Sequence, residues 1–198
     1  MNKKLTILLI SLFISIFVYG DFNKGDKEVS FSLTASKVSR AGEYSYNYEN
    51  VNLFFRYGYF FNHVLELEPE LMAGNDSILF STNLNINLRV NEKSHFFIIT
   101  GIGYGNSFNF GTLPLWEGSN LTAVNIGVGF KFNFSESLIF RVELRRTEYY
   151  GAEEKIWEYQ PSGYYERTEK IHYYTANFMF GFSYIFKIKK EKKSEEAL

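Results

Sequence analysis

"VLELEPELM", residues 64–72, alternates leucine with glutamate. Leu65, Leu67 and Leu71 share one parity, and Glu66, Glu68 and Glu70 share the other. Successive side chains of a β-strand point to opposite faces, so the stretch reads as a strand with one apolar face and one face of carboxylates. Like charges in a row repel. Something cationic has to stand opposite them, and the rest of the chain has to show which face meets water.

The same alternation runs along the chain. In "VSFSLTA", 29–35, Val29, Phe31, Leu33 and Ala35 oppose Ser30, Ser32 and Thr34. In "VNLFFRYGY", 51–59, Val51, Leu53, Phe55 and Tyr57 oppose Asn52, Phe54, Arg56 and Gly58. "ILFSTNLNINLRV", 78–90, sets Ile78, Phe80, Leu84, Ile86, Leu88 and Val90 against Ser81, Asn83, Asn85, Asn87 and Arg89. "FFIITGIGYG", 96–105, and "AVNIGVGFKFNF", 123–134, oppose apolar residues to glycines, Asn125 and Lys131. "LIFRVELRR", 138–146, sets Leu138, Phe140, Val142 and Leu144 against Arg141, Glu143 and Arg145. "YTANFMFGFSYIF", 174–186, ends the series with Phe178, Phe180, Phe182, Tyr184 and Phe186 on one face. With the opening stretch this makes eight strands, each long enough to cross a bilayer when tilted.

The connections alternate in length. "NHV" (62–64), "NEKS" (91–94) and "SES" (135–137) are tight turns, and the segments 37–47, 106–120 and 147–170 are long. "GNDS" (74–77) is the short exception. Short turns at one end and long loops at the other suit an up-and-down barrel. Aromatics make up 19% of the chain, with 21 Phe and 15 Tyr, which favours strands.

Parity separates two faces without saying which is inside. A soluble lipocalin-like barrel puts its apolar face inward. Here the apolar face is nearly uncharged along every strand, as lipid contact requires, and the other face is rich in Gly, Ser and Asn, which suit a cramped bore. The expectation is therefore an all-β, eight-stranded antiparallel up-and-down transmembrane β-barrel. Its interior would hold Arg56, Glu66, Glu68, Glu70, Arg89, Lys131, Arg141, Glu143 and Arg145 as a network of ion pairs. Pro69 lacks a backbone donor, so a bulge or a local end of pairing is expected beside it.

"MNKKLTILLISLFISIFVYG" places Lys3 and Lys4 before an apolar run that ends at Val18-Tyr19-Gly20, the layout of a secretory signal peptide. The expected organisation is a signal peptide over 1–20, the barrel over 21–186 and a charged periplasmic tail over 187–198. The chain has no cysteine, so it stands without disulfides despite export. Its net charge of −1 gives no reason to expect a nucleic-acid partner.

The segments "LELEPELMAG" (65–74), "GIGYG" (101–105), "NIGVGFKFNFSESLIFRVELR" (125–145) and "FMFGFSYIF" (178–186) carry a resemblance to the OmpA/OmpX-like small outer-membrane β-barrel proteins of diderm bacteria. It spans nearly all of the chain after residue 20. Gly181, Tyr184 and Phe186 are similar to that family's C-terminal assembly signal, a glycine followed by hydrophobics three and five residues on. This chain continues past it with "KIKKEKKSEEAL", where the family usually stops. The resemblance implies an outer-membrane location, outer-membrane lipid as surroundings and the outer-membrane assembly machinery as a partner. It implies no single activity.

No cofactor or metal site is expected. His63 and His95 fall at the short-turn end and His172 near the opposite rim, so the histidines do not cluster. His172 has outward parity, but the next outward position is Tyr174 rather than a serine that could act as nucleophile. His172 is read as an interfacial residue of an aromatic girdle formed by Tyr57, Tyr59, Tyr104, Tyr173, Tyr174 and Tyr184. The chain is expected not to be an enzyme. Its expected role is structural or adhesion-like, through Trp157, Tyr159, Tyr164 and Tyr165 of loop 147–170. There Pro161-Ser162-Gly163 would turn a hairpin that binds a surface ligand. The alternatives are a lipid-modifying outer-membrane enzyme and a narrow channel or hydrophobic-solute conduit.

Overall fold

Lys27 lies opposite Tyr59 on one side and Phe186 on the other, so the first strand pairs with both the second and the last. The computed structural model describes residues 22–40, 47–74, 77–107, 120–160 and 163–188; side chains are described for these except at 35–40, 47–50, 107, 152–160 and 164–171. The strands are β1 (Lys27–Arg40), β2 (Asn47–Phe60), β3 (Leu65–Gly74), β4 (Ser77–Asn91), β5 (Ser94–Ser107), β6 (Asn120–Asn133), β7 (Leu138–Gln160) and β8 (Gly163–Phe186). Every neighbouring pair is antiparallel, and the ring closes between β8 and β1. The expected signal peptide and residues 189–198 of the expected tail lie outside the described residues.

The stagger of the ring can be followed residue by residue. A path across the ladders leaves β1 at Lys27 and passes Tyr59, Leu67, Leu84, Thr100, Ile126, Arg146 and Ala176. It returns to β1 at Lys37. A displacement of this size tilts the strands by roughly 40° to the axis and leaves a bore that side chains can fill.

Burial alternates along each strand, and it is inverted relative to a soluble barrel. Phe55, Phe80, Ile102 and Phe182 are exposed on the outside, whereas Arg56, Glu68, Asn83 and Lys131 are buried inside. A continuous exterior of Phe, Leu, Ile and Val is far larger than any apolar patch a water-soluble monomer presents. The outside is a lipid-facing wall, and the chain is a transmembrane barrel. No helix among the described residues is long and apolar enough to cross a membrane; the crossing is made by strands.

Two local expectations take a definite form. Around Pro69 the β2–β3 ladder is interrupted between Arg56↔Glu70 and Tyr59↔Leu67, while the register is kept. The proline is accommodated by missing rungs and not by a bulge. The segment 147–170 is not a loop. β7 and β8 continue as one paired ribbon to Gln160↔Gly163, with a register shift at Tyr149/Ala152 where Gly151 has φ +89°. Gly163, at φ +125°, begins the returning strand. Both glycines occupy backbone that other residues avoid.

Candidate functional site

The bore is filled in layers. At the end carrying the short turns, hereafter the turn end, Phe22, Phe60, Ile139 and Ile185 form an apolar plug. Phe22 precedes β1 and folds back into the mouth, its ring stacked on Phe60 at 4.4 Å and tilted against His95 at 4.6 Å. The Asp26 carboxylate holds this fold-back by accepting from the Asn23 and Ile188 amides at 2.8 and 3.1 Å. At the opposite, loop end, Phe54, Met72, Leu79, Leu121, Tyr149 and Tyr173 pack into a second apolar cluster.

Between the plugs lies the charged layer. Lys131 on β6 donates to Glu28 on β1 at 2.6 Å and to Glu66 on β3 at 2.8 Å. Asn85 and Asn87 also donate to Glu66, each at 3.1 Å. Arg141 on β7 holds Glu68 with both terminal nitrogens and donates to Glu143 at 2.9 Å. Arg145 bridges Glu70 at 2.6 Å and Glu143 at 2.5 Å. Arg56 donates to Glu70 at 2.6 Å and to the Ser32 hydroxyl at 2.9 Å. The Glu66-Glu68-Glu70 row thus faces cations on β2, β6 and β7, and the mutual repulsion of its carboxylates is offset across the bore.

Small residues make room for these groups. Gly129 leaves space for the Phe97 ring, which a Cβ there would overlap, and the Arg141 guanidinium lies over that ring at 4.4 Å from its centroid. Gly58 leaves space for the Glu66 carboxylate in the same way. Toward the loop end the polar chain continues: Asn125 donates to Asn83 at 3.0 Å and accepts from Thr147 at 2.9 Å.

Eight of the nine predicted interior charges, Arg56, Glu66, Glu68, Glu70, Lys131, Arg141, Glu143 and Arg145, come together in this layer. Arg89 does not. It sits at the turn end, where the β4–β5 register shifts between Arg89 and Asn91, and its Nε donates to the exposed Asn91 carbonyl at 3.3 Å. A strand that ends in a bulge lets a long guanidinium reach the rim. Glu28 was missed because the first strand was read from Val29, although it shares parity with Ser30 and Ser32. The described network therefore has five acids and four bases, where the sequence reading had four acids and five bases.

Tyr173 also departs from expectation. It is not in the girdle but buried in the bore, stacked on Tyr149 at 4.5 Å. Tyr57, Tyr104 and Tyr184 are exposed on the lipid-facing wall. The side chains of Trp157, Tyr159, Tyr164 and Tyr165 lie outside the described residues. Their backbones pair Trp157 with Glu166, Glu158 with Tyr165 and Tyr159 with Tyr164.

On the outer wall His172 lies flat against Tyr150 at 4.7 Å, and its Nε2 is 2.6 Å from a Glu148 oxygen. A carboxylate can orient an imidazole as a base. The next outward position along β8 is occupied by Tyr174 and not by a serine. Among the described residues Glu28, Glu66 and Glu68 lie close enough to ligate a metal ion, but the ammonium of Lys131 already occupies the space between Glu28 and Glu66.

No family model matches the chain, and no curated protein matches it in sequence. Solved structures do match its shape. Neisserial surface protein A is 11% identical, with 82% of this chain and 99% of that one covered at a TM-score of 0.55. The N-terminal β-barrel domain of OprF from Pseudomonas aeruginosa is 17% identical, with 79% and 97% covered at a TM-score of 0.50. The fold is that of the small eight-stranded outer-membrane barrels, and at this level the OmpA/OmpX-like resemblance holds.

Proposed function

We propose that the chain is exported by residues 1–20 and inserted in the outer membrane of a diderm bacterium. Its role there is structural or surface-interactive, carried by the β7–β8 ribbon. Insertion would use Gly181, Tyr184 and Phe186 as the assembly signal. The observation that carries the reading is the ribbon itself. Beyond the Gly151 bulge, β7 and β8 stay paired from Ala152↔Ile171 to Gln160↔Gly163. At about 3.3 Å per residue this reaches roughly 30 Å past the barrel wall.

A two-stranded ribbon has two free edges and can pair with an extended segment of another protein by strand addition. Trp157, Tyr159, Tyr164 and Tyr165 are of the types that anchor interfaces. The bore offers less. Its two apolar plugs enclose a layer of paired charges, which favours a surface role over a conduit. A non-enzymatic role is favoured by Tyr174, where a serine nucleophile would be wanted, at the next outward position of β8 after His172.

Deleting residues 154–168 tests the reading. The barrel should still insert and migrate differently in SDS gels before and after boiling, because loop tips tolerate deletion. Binding of whole cells to matrix proteins, glycosaminoglycans or partner cells should fall to background. Equal binding by parent and deletion strain to every surface would remove the ribbon from the site. A soluble periplasmic parent with no heat shift would remove the membrane.

A further inference from the structure

Among the residues whose side chains are described, the outward strand positions carry Lys27 at the turn end and otherwise one group with charge or an imidazole: Arg146, Glu148 and His172. Arg146 and Glu148 are two apart on β7, and Glu148 lies opposite Tyr174 on β8. The Arg146 guanidinium sits over the Tyr174 ring at 4.2 Å from its centroid, and both it and His172 contact the Glu148 carboxylate. Exposure is unequal. The Arg146 side chain is 55% exposed and His172 40%, whereas Glu148 is 19% exposed. The acid is tucked behind, the His172 Nε2 edge is turned toward it, and the Arg146 guanidinium is the most open of the three.

Alongside this group the wall carries a shallow, open groove. Ile126, Val128, Leu144, Ala176 and Phe178 line an almost wholly apolar concavity of about 640 Å³ that Arg146 also borders. Ala176, directly opposite Arg146 in the ladder, leaves the gap where a larger side chain would fill the wall. Arginine in hydrocarbon is costly unless its head reaches a polar layer or a counter-charge. Here it lies toward the loop end, at the level of Tyr174, where a headgroup layer meets aromatic rings.

We propose that this is a binding site for one phosphorylated lipid of the outer leaflet. Its phosphate is held by Arg146, with His172 beside it, and an acyl chain lies in the Ile126–Leu144–Ala176–Phe178 groove. Guanidinium–phosphate hydrogen bonds are among the stronger polar contacts and gain strength at a membrane interface. Glu148 serves as the positioning residue that holds Arg146 and His172 at the wall. The proposal rests on the outer-membrane reading, with the loop end outside.

The full chain, refolded in dodecylmaltoside, is titrated with bis-phosphorylated lipid A and with the same lipid after phosphatase treatment, and bound lipid is counted by native mass spectrometry. The phosphorylated form should bind roughly tenfold tighter, the scale of one charge-assisted contact. Arg146→Gln should remove that preference, and Ala176→Trp should weaken both forms by filling the groove. Equal binding of the two lipids by the parent overturns the proposal, as does an unchanged preference in an Arg146→Gln variant that keeps its heat shift. The parent comparison decides alone should the variant not refold. Flotation with phosphatidylcholine vesicles separates the two readings. A parent that floats yet shows no phosphate preference defeats the lipid site alone, and a parent that does not float defeats the membrane reading with it.

Discussion

Arg141 on β7 grips Glu68 on β3 from diametrically opposite sides of the eight-stranded ring. The contact joins residues that no ladder brings together. It is a cross-brace, with Glu143 and Arg145 sharing its charges on β7 and Arg56 and Glu70 beside Glu68. Removing one partner leaves the other ionised, buried and without its closest counter-charge.

For that reason Glu68→Gln or Arg141→Met should each destabilise the barrel by about 3–5 kcal/mol. The double variant should cost less than the two singles added, since the charges vanish together. Urea unfolding in phospholipid vesicles, followed by tryptophan fluorescence, measures all three. Unchanged midpoints in both singles would show that this face is hydrated.

Gly129 and Gly163 should respond in opposite ways to a side chain. A Cβ at Gly129 meets the Phe97 ring and the Val142 carbonyl, so Gly129→Val should abolish the heat-shifted folded band. Gly163 has open space around it and carries only the strain of φ +125°. Gly163→Ala should cost about 1 kcal/mol and leave the band intact.

Planar-bilayer recordings of the purified parent should stay at baseline, because the bore is closed by side chains at both ends and by ion pairs between. Phe54→Ala with Phe60→Ala should stay at baseline too, as the charged layer remains. Discrete conductance steps in the parent would reinstate the channel.

Protease added to intact cells should cut within residues 152–171 and nowhere in the barrel. A boiled gel should then show two fragments and an unboiled gel one folded band, since β7 and β8 remain laddered below the cut. Full resistance at a concentration that digests unfolded protein would place the ribbon in the membrane or inside the cell.

Much of this architecture could be read from parity alone. The alternation around Glu66, Glu68 and Glu70 marks the inward face, and the same rule places Arg56, Lys131, Arg141 and Arg145. It fails where a strand's limits are misjudged. Glu28 lies one residue outside the strand as read, and Arg89 sits inside it but at a bulged end. Tyr173 has inward parity, yet its residue type pointed to the girdle; packing against Tyr149 decides. The hairpin at the tip of the ribbon follows from its turn residues, whereas the strands below it give no sign of pairing because they lack apolar alternation, which is a signal of lipid contact and is not needed beyond the membrane. The Arg146–Glu148–His172 group could not be read as a unit, since it depends on the β7–β8 register.

The strand order carries a consequence for assembly. Seven of the eight ladders join strands that are neighbours in sequence, so they can form as successive hairpins. The β8–β1 seam and cross-bore contacts such as Glu68–Arg141 and Glu28–Lys131 join distant parts of the chain and must wait for closure. Until then the future interior is an open surface of glutamates, arginines and asparagines facing water. Those residues keep the unclosed sheet hydrated in transit, and the same charges become ion pairs as the seam shuts. A variant with an apolar bore would gain nothing from that wait: its half-made sheet would be greasy on both faces and prone to aggregate before it reached the bilayer.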